Sequence, residues 1–130
     1  MKRVHKILIT FLAVVLCLAA CSPKKTLKLD LDVQDVVKVT GQSQTTENPD
    51  DREPREFTLE EAEKLVQALN GITLTETKNT NAKGWEYRFV LTLQDGTVKD
   101  ISISGEKMQV NDKEYKMKGF EQESFQNLFE

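Results

Sequence analysis

Two stretches of this 130-residue chain match a pattern that can support acyl-transfer chemistry. Ser104-Gly105-Glu106-Lys107 spells S-x-x-K, in which a lysine can help to activate a serine nucleophile. That motif works beside S-D-N and K-T-G elements, which this sequence lacks, and Gly105 predicts a turn between strands. Ser22-Pro23-Lys24-Lys25 fits the same pattern by chance. A Ser-Lys hydrolase is therefore the alternative and not the leading interpretation.

Three aspartates near the start of the predicted domain offer oxygen ligands of the kind that calcium prefers. Asp30, Asp32 and Asp35 resemble the beginning of a calcium-binding loop. The spacing then fails, because Asp35 stands where the sharp turn needs glycine and Gly41 stands where a bidentate glutamate belongs. The sequence therefore predicts exposed carboxylates here, with no metal site and no cofactor.

A pair of carboxylates could also serve as acid and base in a small hydrolase. Every candidate lies near a predicted helix start, where solvation and the helix dipole explain acidic residues without catalysis. Trp85 and Tyr87 could stack on a sugar if they were exposed, but strand alternation predicts that both belong to the core. We therefore assign no catalytic residue. The carboxylates considered are Glu60, Glu61, Glu63, Glu121 and Glu123.

The chain begins with a short basic segment followed by an uncharged apolar run. Lys2, Arg3 and Lys6 precede the twelve residues from Ile7 to Leu18, as in the n-region and h-region of a signal peptide. The apolar run is shorter than the roughly 20 residues that a helix needs to cross the hydrocarbon core. We therefore expect a segment that is removed during export and does not remain as a membrane span.

Leu18-Ala19-Ala20-Cys21, directly after the apolar run, resembles the lipobox of bacterial lipoproteins. The resemblance implies that residues 1–20 are a signal peptide, that cleavage falls between Ala20 and Cys21, and that the Cys21 thiol carries diacylglycerol. Residues 21–26 would then be the lipidated N-terminus and a short tether on the extracytoplasmic face of the cell membrane. The alternatives are an ordinary secretory signal cut at an A-x-A-like site, or an uncleaved anchor.

Removal of residues 1–20 would restrict the chemistry open to the mature chain. His5 and Cys17 would be lost and Cys21 would carry lipid, which excludes Ser-His-Asp catalysis, zinc sites of cysteine and histidine, and disulfides. The remaining 15 basic residues face 21 acidic ones, a net charge of about −6. This balance argues against nucleic acid as a partner.

Residues 27–130 are predicted to form one domain. Alternation from Leu27 to Val33 predicts a strand, Val36 to Thr40 predicts a second one, and a polar loop follows at 42–56. Thr58-Leu59-Glu60-Glu61 matches a capping box and predicts a helix that ends at Asn70-Gly71. The expected buried face of this helix comprises Leu59, Ala62, Leu65, Val66 and Leu69.

The second half of the domain alternates as hairpin-linked strands do. Ile72 to Lys78 predicts a strand, residues 79–84 a turn, and Trp85 to Leu93 the clearest strand of the chain. Asp95-Gly96 predicts a two-residue hairpin turn, and further strands should follow to Met117. The predicted fold is α+β: an antiparallel meander with one helix before the main hairpins and a short C-terminal helix packed on one face. That last helix should bury Phe120, Phe125, Leu128 and Phe129.

The polar segment 42–56 is open to two interpretations. Its charged residues could recognise a partner at the envelope, because loops often carry function, or the segment could be a passive connection. The sheet face bearing Glu86, Arg88 and Thr92 is the second candidate surface. The charged residues of the segment from position 50 onwards are Asp50, Asp51, Arg52, Glu53, Arg55 and Glu56.

Taken with the lipobox, the chain resembles small lipoproteins of Gram-positive bacteria that carry a domain of unknown function. The likeness rests on Phe57-Thr58-Leu59-Glu60-Glu61, Asp95-Gly96, Ile101 to Gly105 and Val110 to Tyr115. It supports location and fold and provides no catalytic or binding residue. We therefore expect a non-enzymatic binding or interaction module, attached to the membrane through Cys21, with an envelope protein, peptide or glycan as ligand. A small envelope hydrolase is the alternative.

Overall fold

The computed structural model describes residues 26–46, 48–78 and 84–129 of the chain. The predicted signal peptide over residues 1–20, the cleavage site at Ala20 and Cys21, and the tether up to residue 25 lie outside these described residues. So do residues 79–83 of the predicted turn. No helix within the described ranges combines the length and the apolar composition needed to cross a membrane.

The described residues form eight strands that join in one antiparallel sheet. The order across the sheet is β1-β4-β8-β7-β6-β5-β2-β3, so β5 to β8 follow one another as the predicted meander. Both edge strands have only two residues, which leaves few unpaired backbone groups for another chain to join. In chain order the strands are β1 (Thr26–Leu27), β2 (Val36–Ser43), β3 (Arg55–Glu56), β4 (Thr73–Glu76), β5 (Tyr87–Leu93), β6 (Val98–Ser104), β7 (Lys107–Val110) and β8 (Lys113–Lys118).

Two α-helices complete the described part of the fold, which confirms the α+β class. Helix α1 (Leu59–Asn70) starts with the predicted capping box: Thr58 Oγ1 accepts from the Glu61 amide at 3.2 Å, and Glu61 Oε1 accepts from the Thr58 amide at 2.9 Å. Helix α2 (Gln122–Gln126) is shorter and continues as a 3₁₀ turn, Asn127–Phe129.

One residue assigned to the buried face of α1 is exposed. Ala62, Leu65, Val66 and Leu69 are buried as predicted, whereas Leu59 is 72% exposed. Phe57, two residues earlier, occupies the core at this end of the helix and contacts the rings of Phe89 and Phe129. The residue before the cap therefore takes the place that helical periodicity assigns to Leu59.

The core lies between the two helices and one face of the sheet. Tyr87 and Phe89 of β5 are fully buried, and Phe125 of α2 packs within 6.0 Å of Tyr87 and 5.9 Å of Phe89, measured between ring centroids. Phe125, Leu128 and Phe129 are buried as predicted, and Phe120 packs at the rim. The prediction that Trp85 belongs to the core is wrong, because β5 begins only at Tyr87 and Trp85 is partly exposed.

The predicted first strand at Leu27 to Val33 is mostly absent. Only Thr26–Leu27 pairs, Asp30 takes a positive φ of 49°, and Val33–Asp35 forms a 3₁₀ turn. The side chain of Asn70 replaces a neighbouring strand here: its Oδ1 accepts from the Leu31 amide at 2.7 Å and its Nδ2 donates to the Leu31 carbonyl at 2.8 Å. The backbone polar groups of Leu31 are thus paired without a sheet partner.

The segment 42–56 is more ordered than a polar loop. Its first two residues extend β2, Pro49–Arg52 form a 3₁₀ turn, and Arg55–Glu56 pair with Thr40 and Gly41 as β3. Strand pairing with β2 and the ion pairs of Arg55 both contribute contacts to the segment. The predicted polar loop therefore contains a strand and a turn among its described residues.

The Asp95-Gly96 turn occurs where predicted but has three residues instead of two. The Leu93 amide donates to the Thr97 carbonyl at 2.8 Å, and the Gly96 amide donates to the Leu93 carbonyl at 3.0 Å. Of the loop residues, only Gly96 takes a positive φ, 86°. This geometry is the common three-residue hairpin loop in which glycine follows a type I turn.

Candidate functional site

The face of the sheet opposite the core, which we call the open face, carries polar side chains. Successive strands place Arg88 beside Ser102, Ser102 beside Gln109, and Gln109 beside Glu114. Both α-helices pack on the core side, so their side chains do not cover this array. Arg88 and Thr92, two of the residues predicted to mark a second candidate surface, lie on this open face.

Arg88 on the open face is paired with a carboxylate. Its Nε lies 3.0 Å from Asp100 Oδ1 and its Nη2 lies 2.7 Å from Asp100 Oδ2. The hydrogen bond to Asp100 raises the pKa of Arg88 above its ordinary value. Recognition of an anion by Arg88 would have to displace this partner.

The two polar residues of the Ser104-Gly105-Glu106-Lys107 pattern face each other across a turn. Ser104 and Lys107 are register partners of β6 and β7, and Gly105 has the positive φ expected of the turn, 57°. Lys107 Nζ, however, lies 3.2 Å from Oε1 of Glu114, whose side chain is only 6% exposed. The Lys107 side chain is thus directed to Glu114.

The three aspartates considered for calcium are not brought together. Asp32 Oδ1 caps the 3₁₀ turn by accepting from the Gln34 amide at 3.0 Å. Among the described residues, no group of three or more histidine, cysteine, aspartate or glutamate side chains is arranged to hold a metal ion. The structure therefore gives Asp32 a local structural role.

The glutamates considered as an acid and base pair have local partners instead. Glu60 lies 3.5 Å from Lys64, and Glu121 accepts from the Ser124 hydroxyl at 3.3 Å. Glu63 and Glu123 are exposed. Glu61 is the exception, because it belongs to a partly buried cluster.

That cluster is centred on Arg55. Its Nε donates to Asp51 at 3.1 Å, its Nη1 and Nη2 donate to the two oxygens of Glu61, and Nη2 also donates to the Leu128 carbonyl at 3.1 Å. The hydrogen bond from Arg55 lowers the pKa of Glu61, and the same bond raises the pKa of Arg55. We call Asp51, Arg55, Phe57, Glu61 and the Leu128 carbonyl the Arg55 cluster.

The Arg55 cluster changes how the segment 42–56 can function. Asp51 is only 4% exposed, and Arg55, whose side chain is 34% exposed, donates to Asp51, Glu61 and the Leu128 carbonyl, so recognition of a partner by either residue would have to displace these contacts. Of the other described charged residues of the segment, Asp50, Arg52, Glu53 and Glu56 are exposed. Among the residues that the structure describes, recognition by charge in this segment falls to those four.

A groove of about 480 Å³ lies between the two helices. Ala68 contributes apolar surface and Lys64 and Glu121 contribute opposite charges, whereas Phe125 borders the groove but is fully buried. We call this the helical groove; its lining comprises Lys64, Gln67, Ala68, Gly71, Gly119, Glu121, Ser124, Phe125 and Asn127. Sequence analysis missed it, because its two sides come from the end of α1 and from residues after β8, which no local pattern connects.

Comparisons with protein-family models, with curated proteins and with solved structures each found no match for this chain. The resemblance to small lipoproteins of Gram-positive bacteria therefore stays a prediction from the residues. Inferences about function depend on the N-terminal sequence, the open face and the helical groove.

Proposed function

We propose that this chain is a non-enzymatic binding module, held by a lipid on Cys21 at the extracytoplasmic face of the cell membrane. The lipobox-like Leu18-Ala19-Ala20-Cys21 after an uncharged apolar run supports the anchor. Each buried methylene contributes about 0.8 kcal/mol, so the two chains of a diacylglyceryl group hold a protein firmly where one chain is marginal.

The helical groove is the observation that carries the binding proposal. Its volume of about 480 Å³ falls within the range of small-molecule and peptide sites. The apolar surface of Ala68 suits a small aliphatic contact, and the charges of Lys64 and Glu121 suit a ligand that carries both signs or several polar groups. An envelope peptide or glycan has this chemistry.

The groove lies towards the start of β4, whereas Thr26 pairs near its other end. Gly71 precedes β4 and Gly119 follows β8, and these strands are antiparallel, so both glycines lie at the same end of the sheet. The chain enters β1 at Thr26, which pairs with Thr75 near the other end of β4. A ligand could therefore reach the groove while the tether end stays at the membrane.

The alternative is a small envelope hydrolase that uses carboxylates or a Ser-Lys pair. The register of Ser104 with Lys107 favours it, and the ion pair of Lys107 with Glu114 is a contact that such a pair would have to exchange. Turnover of an envelope substrate that Ser104→Ala abolishes would favour the hydrolase over a binding module.

The binding proposal is tested with the mature lipidated protein in detergent micelles, screened against envelope peptides and glycans. Gln67→Trp should fill the groove and weaken a captured ligand by about tenfold, or 1.4 kcal/mol. Glu63→Trp is the matched control, because Glu63 is exposed on the same helix and does not line the groove. Equal binding by both variants would contradict the assignment of the groove.

A further inference from the structure

Residues that are register partners form a row across the open face, starting at β1. Thr26 pairs with Thr75, Thr75 with Lys116, and Lys116 with Lys107. Neighbouring strands lie about 4.8 Å apart, so the backbone of Lys116 is about 10 Å from that of Thr26. Lys118, two residues along β8 on the same face, pairs with Thr73. We call Lys107, Lys116 and Lys118 the lysine row.

Two members of the lysine row lack a counter-charge within the fold. Lys107 is paired with Glu114, but no ion pair of Lys116 or Lys118 occurs among the described residues, and both are exposed. Lys116 stands directly opposite Lys107, whose charge is compensated by Glu114. The exposed ammonium groups of Lys116 and Lys118 are therefore the ones that an anionic partner on this face would meet.

The exposed charges of the lysine row contrast with the net charge of the molecule, and the carboxylates of Asp100 and Glu114 on the same face are held in ion pairs with Arg88 and Lys107. The mature chain has 21 acidic residues against 15 basic ones, and the exposed carboxylates of Glu60, Glu63 and Glu123 lie on the helices, on the other side of the sheet. An anionic surface would therefore repel the helical side and attract the lysine row. The charge distribution selects one orientation.

The tether limits how far this face can lie from the lipid. Only Ser22 to Lys25 separate Cys21 from Thr26, a reach of at most about 17 Å at roughly 3.3 Å per residue. Two of those four residues, Lys24 and Lys25, are themselves positively charged. Electrostatic attraction acts over a Debye length of about 8 Å at physiological salt, about half of this reach, so the tether keeps the domain within roughly two Debye lengths of the headgroups.

We infer that the open face docks on anionic phospholipid headgroups through Lys116 and Lys118, so that the domain lies with its sheet towards the membrane and the helical groove faces away. The inference depends on the proposed lipid anchor at Cys21. It adds an orientation and a membrane contact that the anchor alone does not specify.

Lysine acetylation of the intact lipidated protein, quantified for each lysine by mass spectrometry, tests this orientation. The protein is reconstituted in vesicles of phosphatidylcholine mixed with phosphatidylglycerol, and in vesicles of phosphatidylcholine alone. We expect Lys118 to react about fivefold more slowly on the anionic vesicles. Attraction of one lysine to an anionic surface favours the docked state by about that factor, and a docked lysine is shielded from the reagent. Lys64 on α1 should react equally on both, and high salt should abolish the difference.

Two matched charge reversals separate docking from a general charge effect. Lys116→Glu should remove the protection of Lys118, whereas Lys64→Glu, the same charge change on the helical side, should leave it. Neither variant is expected to unfold the domain, because both side chains are exposed and a glutamate at position 116 would face Lys107 favourably.

Flotation of the vesicles distinguishes failure of the inference from failure of the anchor. Protein that does not float refutes the lipid anchor and this orientation with it. Protein that floats but shows equal acetylation of Lys118 on both vesicles refutes docking and leaves the anchor intact. Protection on neutral vesicles as well, or protection only after an acidic envelope polymer is added, would also overturn recognition of lipid headgroups.

Discussion

Arg55 donates to both carboxylate oxygens of Glu61, with Nη1 to Oε1 at 3.1 Å and Nη2 to Oε2 at 3.0 Å. The same guanidinium binds Asp51 and the Leu128 carbonyl, and its central carbon lies 5.0 Å from the ring centroid of Phe57. One side chain thus joins the segment before α1, the first turn of that helix and the C-terminal turn. Arg55 connects to residues that are up to 73 positions away in the sequence.

Replacing Arg55 with methionine should destabilise the domain by roughly 1–3 kcal/mol, because the buried Asp51 carboxylate would lose its partner. Urea unfolding measures the change. Arg88→Met is the matched control: Arg88 also forms two bonds to one carboxylate, but its side chain and that of Asp100 are 40% and 38% exposed. It should cost at most about 1 kcal/mol. Equal effects of the two variants would contradict a structural role for the Arg55 cluster.

The Arg55 cluster also predicts a dependence of stability on pH. Arg55 lowers the pKa of Glu61, so the unfolded chain takes up the proton more readily than the folded one. The contribution of Glu61 is therefore complete above the ordinary glutamate pKa of about 4.3 and is lost as the pH falls through the lower folded value. The free energy of unfolding of the Glu61→Gln variant should therefore decrease less steeply below that pH than that of the unmodified protein.

Urea unfolding at a series of acidic pH values provides the comparison. Glu63→Gln, on the exposed side of the same helix, should keep the slope of the unmodified protein. A fall as steep in Glu61→Gln as in the unmodified protein would show that Glu61 does not carry this acid dependence.

Local patterns identified the elements whose stabilising contacts are close in sequence. The capping box at Thr58 and Glu61, the alternation of β5 and the glycine turns at Gly96 and Gly105 all depend on neighbours within a few residues. The strand predicted at Leu27 to Val33 failed because Asn70, far along the chain, pairs with the Leu31 backbone. No local pattern contains that contact.

The same reason explains what was missed at the candidate sites. Glu61 was visible as a capping residue, but its second partner, Arg55, looked like one charge in a polar run. The opposition of Ser104 and Lys107 follows from the predicted turn, whereas the pairing of Lys107 with Glu114 needs the return of β8. Charge alone could not show which side chains point inward.

Gly41→Ala should destabilise the domain by about 1–3 kcal/mol, because overpacking forces neighbouring groups to move. A Cβ at this position would lie 2.4 Å from Cζ of Phe57. In a Phe57→Leu background the same change should cost less, and unfolding of the four proteins gives the coupling energy. Gly71→Ala is the control, since its nearest contact would be an ordinary 3.6 Å. No coupling between positions 41 and 57 would contradict this steric explanation.

The lipid anchor leads to the last prediction. Cys21→Ser should leave a precursor without lipid, because serine lacks the thiol that accepts diacylglycerol. Cells grown with labelled fatty acid should therefore label the unmodified protein and leave the variant unlabelled. Cys17→Ser is the matched control, since Cys17 lies within the predicted signal peptide and should not affect labelling. Labelled lipid on the Cys21→Ser protein would refute the lipobox, whereas loss of label in both variants would indicate that export, and not acylation, had failed.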